Sequence, residues 1–292
     1  MKIKDMFGQR PLFSFEIFPP KKTSPIETIY KTLDAVAEFE PDYISVTYGA
    51  GGNPADTSTM DICGIIRRKY NIEPLAHLTC VNTKKQDLDT ILNGLSGCGV
   101  ENILALRGDL KEGTVPAKDF IYASDLAAYI SSHGDFGIAG ACYPEVHFEA
   151  PDALTDIMNL KKKVEAGVTT LSTQMFFDNE KFYSFIEKIR LAGINVPVEA
   201  GIMPIVLPSQ INRMIALSGA TLPAKFVKMF QRYETKPEAF REAGIAYAVD
   251  QIVDLLSSGV DGIHLYTMNN PYVAKRICDS ILPIIRPKTE QN

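Results

Sequence analysis

Cysteine is sparse and scattered in this chain of 292 residues: Cys63, Cys80, Cys98, Cys142 and Cys278 are odd in number, and no two form a C-x-x-C pair. That spacing argues against a disulfide framework or a zinc knuckle and predicts five reduced thiols. An excess of positive charge is also missing, because 30 Lys and Arg face 35 Asp and Glu, for a formal net charge of -5. Without a broad cationic surface, no nucleic-acid partner is expected. No apolar run approaches the roughly 18 residues that a membrane span needs, and Met1 to Arg10 lead into a strand-like run without a signal-peptide core. A cytoplasmic protein with no membrane association is therefore expected. What is present is ordinary for a globular chain: 46% hydrophobic and 22% charged residues, enough to bury a substantial core.

Short apolar, β-branched runs alternate with longer segments of helical periodicity, and the alternation repeats eight times. The strand-like runs are Phe13 to Phe18, Tyr43 to Tyr48, Leu75 to Cys80, Ile103 to Arg107, Gly137 to Tyr143, Thr170 to Phe176, Val198 to Pro204 and Gly262 to Thr267. Ser24-Pro25-Ile26-Glu27 combines an N-cap serine, a first-turn proline and a capping-box glutamate, followed by a stripe of Ile26, Ile29, Leu33 and Val36. A similar opening at Thr235-Lys236-Pro237-Glu238 precedes a stripe of Ala246, Val249, Ile252, Val253 and Leu256. Strands alternating with helices imply parallel pairing through right-handed crossovers. Eight units in this length predict an α/β fold, a (β/α)8 TIM-type barrel in a single domain over 1–292, with a short tail after about 287. An open doubly wound sheet is the alternative. The stretch between Pro204 and Pro237 has room for an extra helix at the rim.

Such a barrel works at the C-terminal ends of its strands, where polar residues do collect in this sequence. Glu16 lies among Phe15, Ile17, Phe18, Pro19 and Pro20, apolar surroundings that would suit a general acid; pairing with Lys21 or Lys22 is the plainer reading. Arg107-Gly108-Asp109 sets opposite charges about a glycine, where both could face a ligand or simply close a salt-bridged turn. Of the four histidines, His133 reads as a solvated turn residue, whereas His77, His147 and His264 lie at strand ends. Glu145, His147 and Glu149 alternate as metal ligands can, but strand one lacks the His-x-His of metal-dependent barrel hydrolases, so no metal is expected. Gly49-Ala50-Gly51-Gly52-Asn53-Pro54 begins like a dinucleotide fingerprint, yet Pro54 takes the place of its last glycine. Lys161-Lys162-Lys163 would ordinarily be a solvated helix face, but lies near the barrel mouth if its helix starts around Asp152.

Taken together and in order, Phe15-Glu16-Ile17-Phe18-Pro19-Pro20, Ser45-Val46-Thr47-Tyr48-Gly49, His77-Leu78-Thr79-Cys80, Leu106-Arg107-Gly108-Asp109, Tyr122-Ala123-Ser124-Asp125 and Tyr143-Pro144-Glu145-Val146-His147 resemble bacterial methylenetetrahydrofolate reductase. The likeness continues through Asn159 to Lys163, Thr173-Gln174, Phe176-Phe177-Asp178, Gly201 to Pro204 and Tyr266-Thr267. It implies FAD as cofactor, held at the strand ends by Tyr48, Ala50, His77, Arg107, Gly108, Asp109, Ala123, Tyr143, His147, Ala150, Asp156, Asn159, Lys162 and Lys163. It further implies ping-pong hydride transfer from NADH or NADPH to 5,10-methylenetetrahydrofolate, as in one-carbon metabolism and methionine supply. Glu16 and Asp109 would be catalytic, and Thr47, Gln174, Gln210, Met214 and Tyr266 would face the substrate or nicotinamide. The alternatives are a relative that draws electrons from a partner protein and a non-catalytic flavin- or folate-binding barrel; a homo-oligomer is left open. Two positions depart from the pattern: Met214 replaces a Phe or Leu, and Asn270 replaces an arginine that contacts the folate tail in some members.

Overall fold

The computed structural model describes residues 1–20, 27–48, 58–81, 83–108 and 119–287. Eight parallel strands close into one barrel in sequence order: β1 (Leu12–Ile17), β2 (Tyr43–Val46), β3 (Glu73–Thr79), β4 (Asn102–Leu106), β5 (Gly137–Cys142), β6 (Thr170–Thr173), β7 (Val198–Ile202) and β8 (Gly262–Tyr266). The closing seam pairs Leu12 with Gly262 and Glu16 with Tyr266. The predicted strands are thus all present, and the closure decides between a barrel and an open sheet.

Around the strands run α1 (Glu27–Ala37), α2 (Ser58–Ile65, continued by a π turn over Ile66–Tyr70), α3 (Lys85–Gly97), α4 (Ala123–His133), α5 (Ala153–Glu165), α6 (Asn179–Leu191), α9 (Pro237–Ser257) and α10 (Pro271–Ile285). Two further helices, α7 (Gln210–Ser218) and α8 (Ala224–Tyr233), fill the stretch expected to hold one. Side-chain alternation divides the strands into two faces. Phe13, Phe15, Ile17, Ile44, Val46, Leu78, Ile263 and Leu265 point outward into the layer shared with Ile29, Leu33 and Val36 of α1. The floor of the barrel is apolar, where Leu12, Tyr43, Leu75, Leu104 and Ala139 meet Ile3 of the 3-10 turn Ile3–Met6. Asn102 ties this plug in place, accepting from the Ile3 amide at 2.9 Å and donating to the Met1 carbonyl at 2.9 Å.

Helix α9 corrects two expectations. Its N-cap is Lys236 with no side-chain cap, so the Thr235 box does not form, although Pro237 opens the helix. Its most buried face runs through Ile245, Ala248, Ile252 and Leu255, so Ile252 of the expected stripe is fully buried, Val249 and Leu256 pack partly buried at its edge, and Ala246 is exposed. The helix has apolar residues on several faces, and a backbone approach chooses among them. A Cβ built at Gly244 would fall 1.9 Å from the Ile205 carbonyl oxygen. The opening Ser24-Pro25-Ile26 lies outside the described residues, as does the tail after Pro287. His133 is exposed, but it ends α4 rather than occupying a turn, and its ring stacks on Tyr129 at 3.7 Å.

Because that close approach leaves no room for a methyl group, Gly244→Ala should destabilise the fold by about 2–3 kcal/mol, despite alanine's better helix propensity. Urea unfolding followed by far-ultraviolet circular dichroism measures this. A variant as stable as the parent would mean that α9 can withdraw from Ile205 at no cost.

Candidate active site

The inward face of the strands is polar above the apolar floor and opens at their C-terminal ends into a cavity of about 490 Å3. Glu16 stands on β1 two residues above Ser14, both inward, while its chain neighbours Phe15 and Ile17 are fully buried on the opposite face. The expected apolar surroundings of Glu16 are therefore corrected by the strand's period of two. Its carboxylate instead faces His77 Nε2 at 3.6 Å and His264 Nε2 at 3.9 Å, with 12% of the side chain exposed.

Each imidazole is held from behind. His77 meets the Ser45 hydroxyl on β2, and His264 Nδ1 lies 2.7 Å from Ser14 Oγ. Ser14 also donates to Glu199 Oε1 at 3.2 Å, and Tyr43 donates to Glu199 Oε2 at 2.6 Å. Glu199 is 2% exposed. Removal from water pushes its carboxyl above the ordinary carboxylate range, against the pull of His264 and the two hydroxyls. Ser14, Ser45, Tyr43 and Glu199 were not among the sequence candidates. An acid inside the apolar run Val198–Ile202 was the available signal for Glu199, and inward spacing from Glu16 the signal for Ser14.

Of the expected site residues, Thr47, Tyr48, His77, Arg107, Gly108, Ala123, Tyr143, His147, Lys163, Gln174, Met214 and Tyr266 all line the cavity with Glu16. Ala50 and Asp109 lie outside the described residues, as does the glycine loop over 49–54. Ala150, Asp156, Asn159, Lys162 and Gln210 are not in the cavity wall. Asp156 acts one step back, accepting from the His147 amide at 3.0 Å, and the Ala150 amide donates to the His147 carbonyl at 2.8 Å. Asn159 accepts from Lys162 on the exposed side of α5. Gln210 spends its carbonyl on the amides of Val206 and Leu207, shaping the entry to α7.

The cations of the wall differ in how they are engaged. Arg107 makes a two-pronged pair with Glu149 at 2.6 and 2.8 Å. Lys163 donates to the Ala141 carbonyl at 2.6 Å, and desolvation pulls its ammonium below the ordinary lysine range. Arg213, on α7, is exposed and has no carboxylate partner among the described residues. Glu145 accepts from the Thr221 amide and hydroxyl at 2.9 and 2.8 Å, so the alternating Glu145, His147 and Glu149 do not converge. On the α7 side, Met214 and Met203 belong to an apolar cluster with Phe177, Ile205, Phe226 and Phe240, which makes Met214 a hydrophobic wall. Asn270 caps α10, its side chain accepting from the Val273 amide at 3.2 Å.

A flavin-sized ligand is compatible with this donor set. The backbone at Gly108 comes into the wall with φ of +85°, where a Cβ would lie 3.0 Å from that of Thr79. Small residues at Ala123 and Ala141, aromatic rings at Tyr48 and Tyr143, and the cations Arg107 and Lys163 flank the same space. That is a surface suited to a planar ring with an anionic extension.

Burial holds the His77 imidazole down at about 4 from its ordinary 6.5, partly opposed by Glu16. Between those two values the unfolded chain binds a proton that the folded chain refuses, so this contribution is intact above pH 6.5 and is lost as pH falls toward 4. The loss is on the order of 3 kcal/mol. Urea titrations at a series of pH values should show His77→Gln losing less stability than the parent on acidification; parallel losses would disprove the assignment to His77.

A family model described as methylenetetrahydrofolate reductase matches residues 2–282. The 5,10-methylenetetrahydrofolate reductases of Pectobacterium carotovorum subsp. carotovorum and Escherichia coli (strain K12) are each 35% identical, covering 92% of this chain and 89% and 90% of their own. Methylenetetrahydrofolate reductase (NADH) 1 of Arabidopsis thaliana is 34% identical over 92% of this chain and 48% of its own. Among solved structures, a Clostridium thermocellum protein described as binding two copies of 5-methyl-5,6,7,8-tetrahydrofolic acid shares the fold, with a TM-score of 0.67 at 13% identity over 92% of this chain and 96% of that one. Sequence likeness along nearly the whole length joins the barrel and its polar mouth in one conclusion: the chain belongs to the methylenetetrahydrofolate reductase family.

Proposed function

We propose that the protein is an FAD-dependent 5,10-methylenetetrahydrofolate reductase that uses NADH or NADPH and releases 5-methyltetrahydrofolate. The observation that carries this reading is Glu16 at the base of the cavity, between two imidazoles and beneath a wall of aromatic rings and cations. When bound, the flavin supplies the hydride, which it first takes from the nicotinamide. The name of the Arabidopsis relative favours NADH as donor.

The chain's own residues then divide the work. Tyr48, His77, Gly108, Ala123, Tyr143 and His147 would hold the flavin, with Arg107, Lys162 and Lys163 as counter-charges for its phosphates. Thr47, Gln174, Met214 and Tyr266 would receive the nicotinamide and then the folate, the amide of Gln174 matching the mixed donor and acceptor edge of a pterin. Glu16 donates a proton to the leaving nitrogen of the five-membered folate ring, so that the ring opens to an electrophilic iminium. Asp109 is proposed as the anion that steadies that cation. The Gln210 side chain, engaged with backbone amides, shapes the substrate loop rather than lining the cavity.

Purified protein should be yellow, with flavin absorbance near ~450 nm, and a folded, colourless preparation that takes up no FAD would remove the basis of this reading. In anaerobic stopped flow, Glu16→Gln should keep reduction of the flavin by NADH or NADPH but lose folate reduction by roughly a hundredfold or more. Equal loss of both half-reactions would refute a folate-specific acid. Flavin reduced by neither nucleotide would point instead to a partner protein as electron donor.

A further inference from the structure

We propose that Glu199 is a positioning residue that sets which nitrogen of His264 carries the proton, and through His264 presents Glu16 with an acceptor rather than a donor. This rests on the proposed role of Glu16 as acid and adds a residue two strand contacts away from the cavity. The argument follows the hydrogen atoms. Ser14 has one hydroxyl proton, and it is donated to Glu199 Oε1 at 3.2 Å. Its oxygen can then only accept at the 2.7 Å contact with His264, so Nδ1 must be the donor. A neutral His264 with its proton on Nδ1 turns a bare Nε2 toward Glu16 Oε2, 3.9 Å away.

The ring is held in that orientation. Tyr43 stacks on it at 6.0 Å with 15° between planes, and Tyr266 meets it edge-on at 5.1 Å. A lone pair facing a carboxyl group is complementary to O–H, whereas an N–H there would be complementary to the carboxylate. At 3.9 Å the two groups are too far apart for a hydrogen bond, so Glu199 acts by setting the polarity of the ring edge that Glu16 faces. Other groups facing Glu16 are His77 on β3, kept neutral by burial, and the Tyr266 phenol on β8. Those acting on Glu199 are Tyr43 and Ser14 by hydrogen bond and Asp42 by charge, and His264 would add a charge only with a second proton.

The two ends of the chain form one coupled unit. Were Glu199 to hold a proton on Oε1, it would donate to Ser14, Ser14 would donate to Nδ1, and the N–H would move to Nε2. Tyr43 opposes that state by donating to Oε2 at 2.6 Å, which an ionised carboxylate accepts best. In Glu199→Gln the amide oxygen takes the Tyr43 hydroxyl, the amide NH2 donates to Ser14, and the same reversal follows with little change of volume.

The test is 15N NMR of the full chain labelled in its four histidines, with His264 assigned by the signal lost in His264→Asn. Expected are an Nδ1-protonated His264 with bare Nε2 in the parent, and a proton moved to Nε2 in Glu199→Gln. In that variant, folate reduction should slow on the order of tenfold, while flavin reduction by the nicotinamide is unchanged. Tyr43→Phe keeps the ring stacked on His264 but removes the hydroxyl that opposes a proton on Glu199, so it should shift the tautomer in the same direction as Glu199→Gln and less completely. Ser14→Ala cuts the chain at its middle and should also abolish the Nδ1 preference. A parent His264 protonated on Nε2, or a tautomer unchanged in both Glu199→Gln and Ser14→Ala, overturns the proposal. A parent protein that never reduces the folate would instead overturn the reading of Glu16, and the NMR result would stand apart from it.

Discussion

The return of β8 onto β1 is the contact on which the rest depends. It leaves no free sheet edge and makes every strand choose between a face toward the helices and a face toward the axis. Large apolar side chains take the outer face, and the narrow interior is left to serines, histidines and acids that can satisfy one another. Several of the buried polar groups there are stabilised by partners on other strands, although the Ser172 hydroxyl has none among the described residues. Ser14 serves both Glu199 and His264, and Ser45 serves His77.

This arrangement explains why a carboxylate can sit at the base of a cavity without being wrapped in hydrocarbon. The flanking Phe15 and Ile17 of β1 contribute stability to the outer layer, while Glu16 belongs to an interior polar column rising from the apolar floor to the mouth. Stability and chemistry are thus separated by the pleat of a single strand. Two residues adjacent in sequence answer to different selection of surroundings.

The strand count, the parallel order and most of the cavity wall were legible in the sequence because they follow from local periodicity and from polar residues at strand ends. What was hidden depends on which way a side chain faces and on contacts distant in the chain. Glu16 looked hydrophobic in its setting because a linear reading averages over both faces of the strand. The stripe on α9 was ambiguous until the carbonyl of Ile205 met Gly244. Glu199 drew no notice because its partners Ser14 and Tyr43 lie 185 and 156 residues away. Gln210 could be named from resemblance, but its amide is engaged by the backbone of its own loop.

The contact between Glu145 and Thr221 joins two segments of the rim that follow β5 and β7. One segment is the β5–α5 loop that carries His147 and Glu149; the other is the turn between α7 and α8, beside the helix that carries Met214. Two hydrogen bonds to one carboxylate tie the turn after α7 to the β5–α5 loop. The cavity mouth is consequently framed by two segments that share one carboxylate, so a displacement of either would strain those two hydrogen bonds.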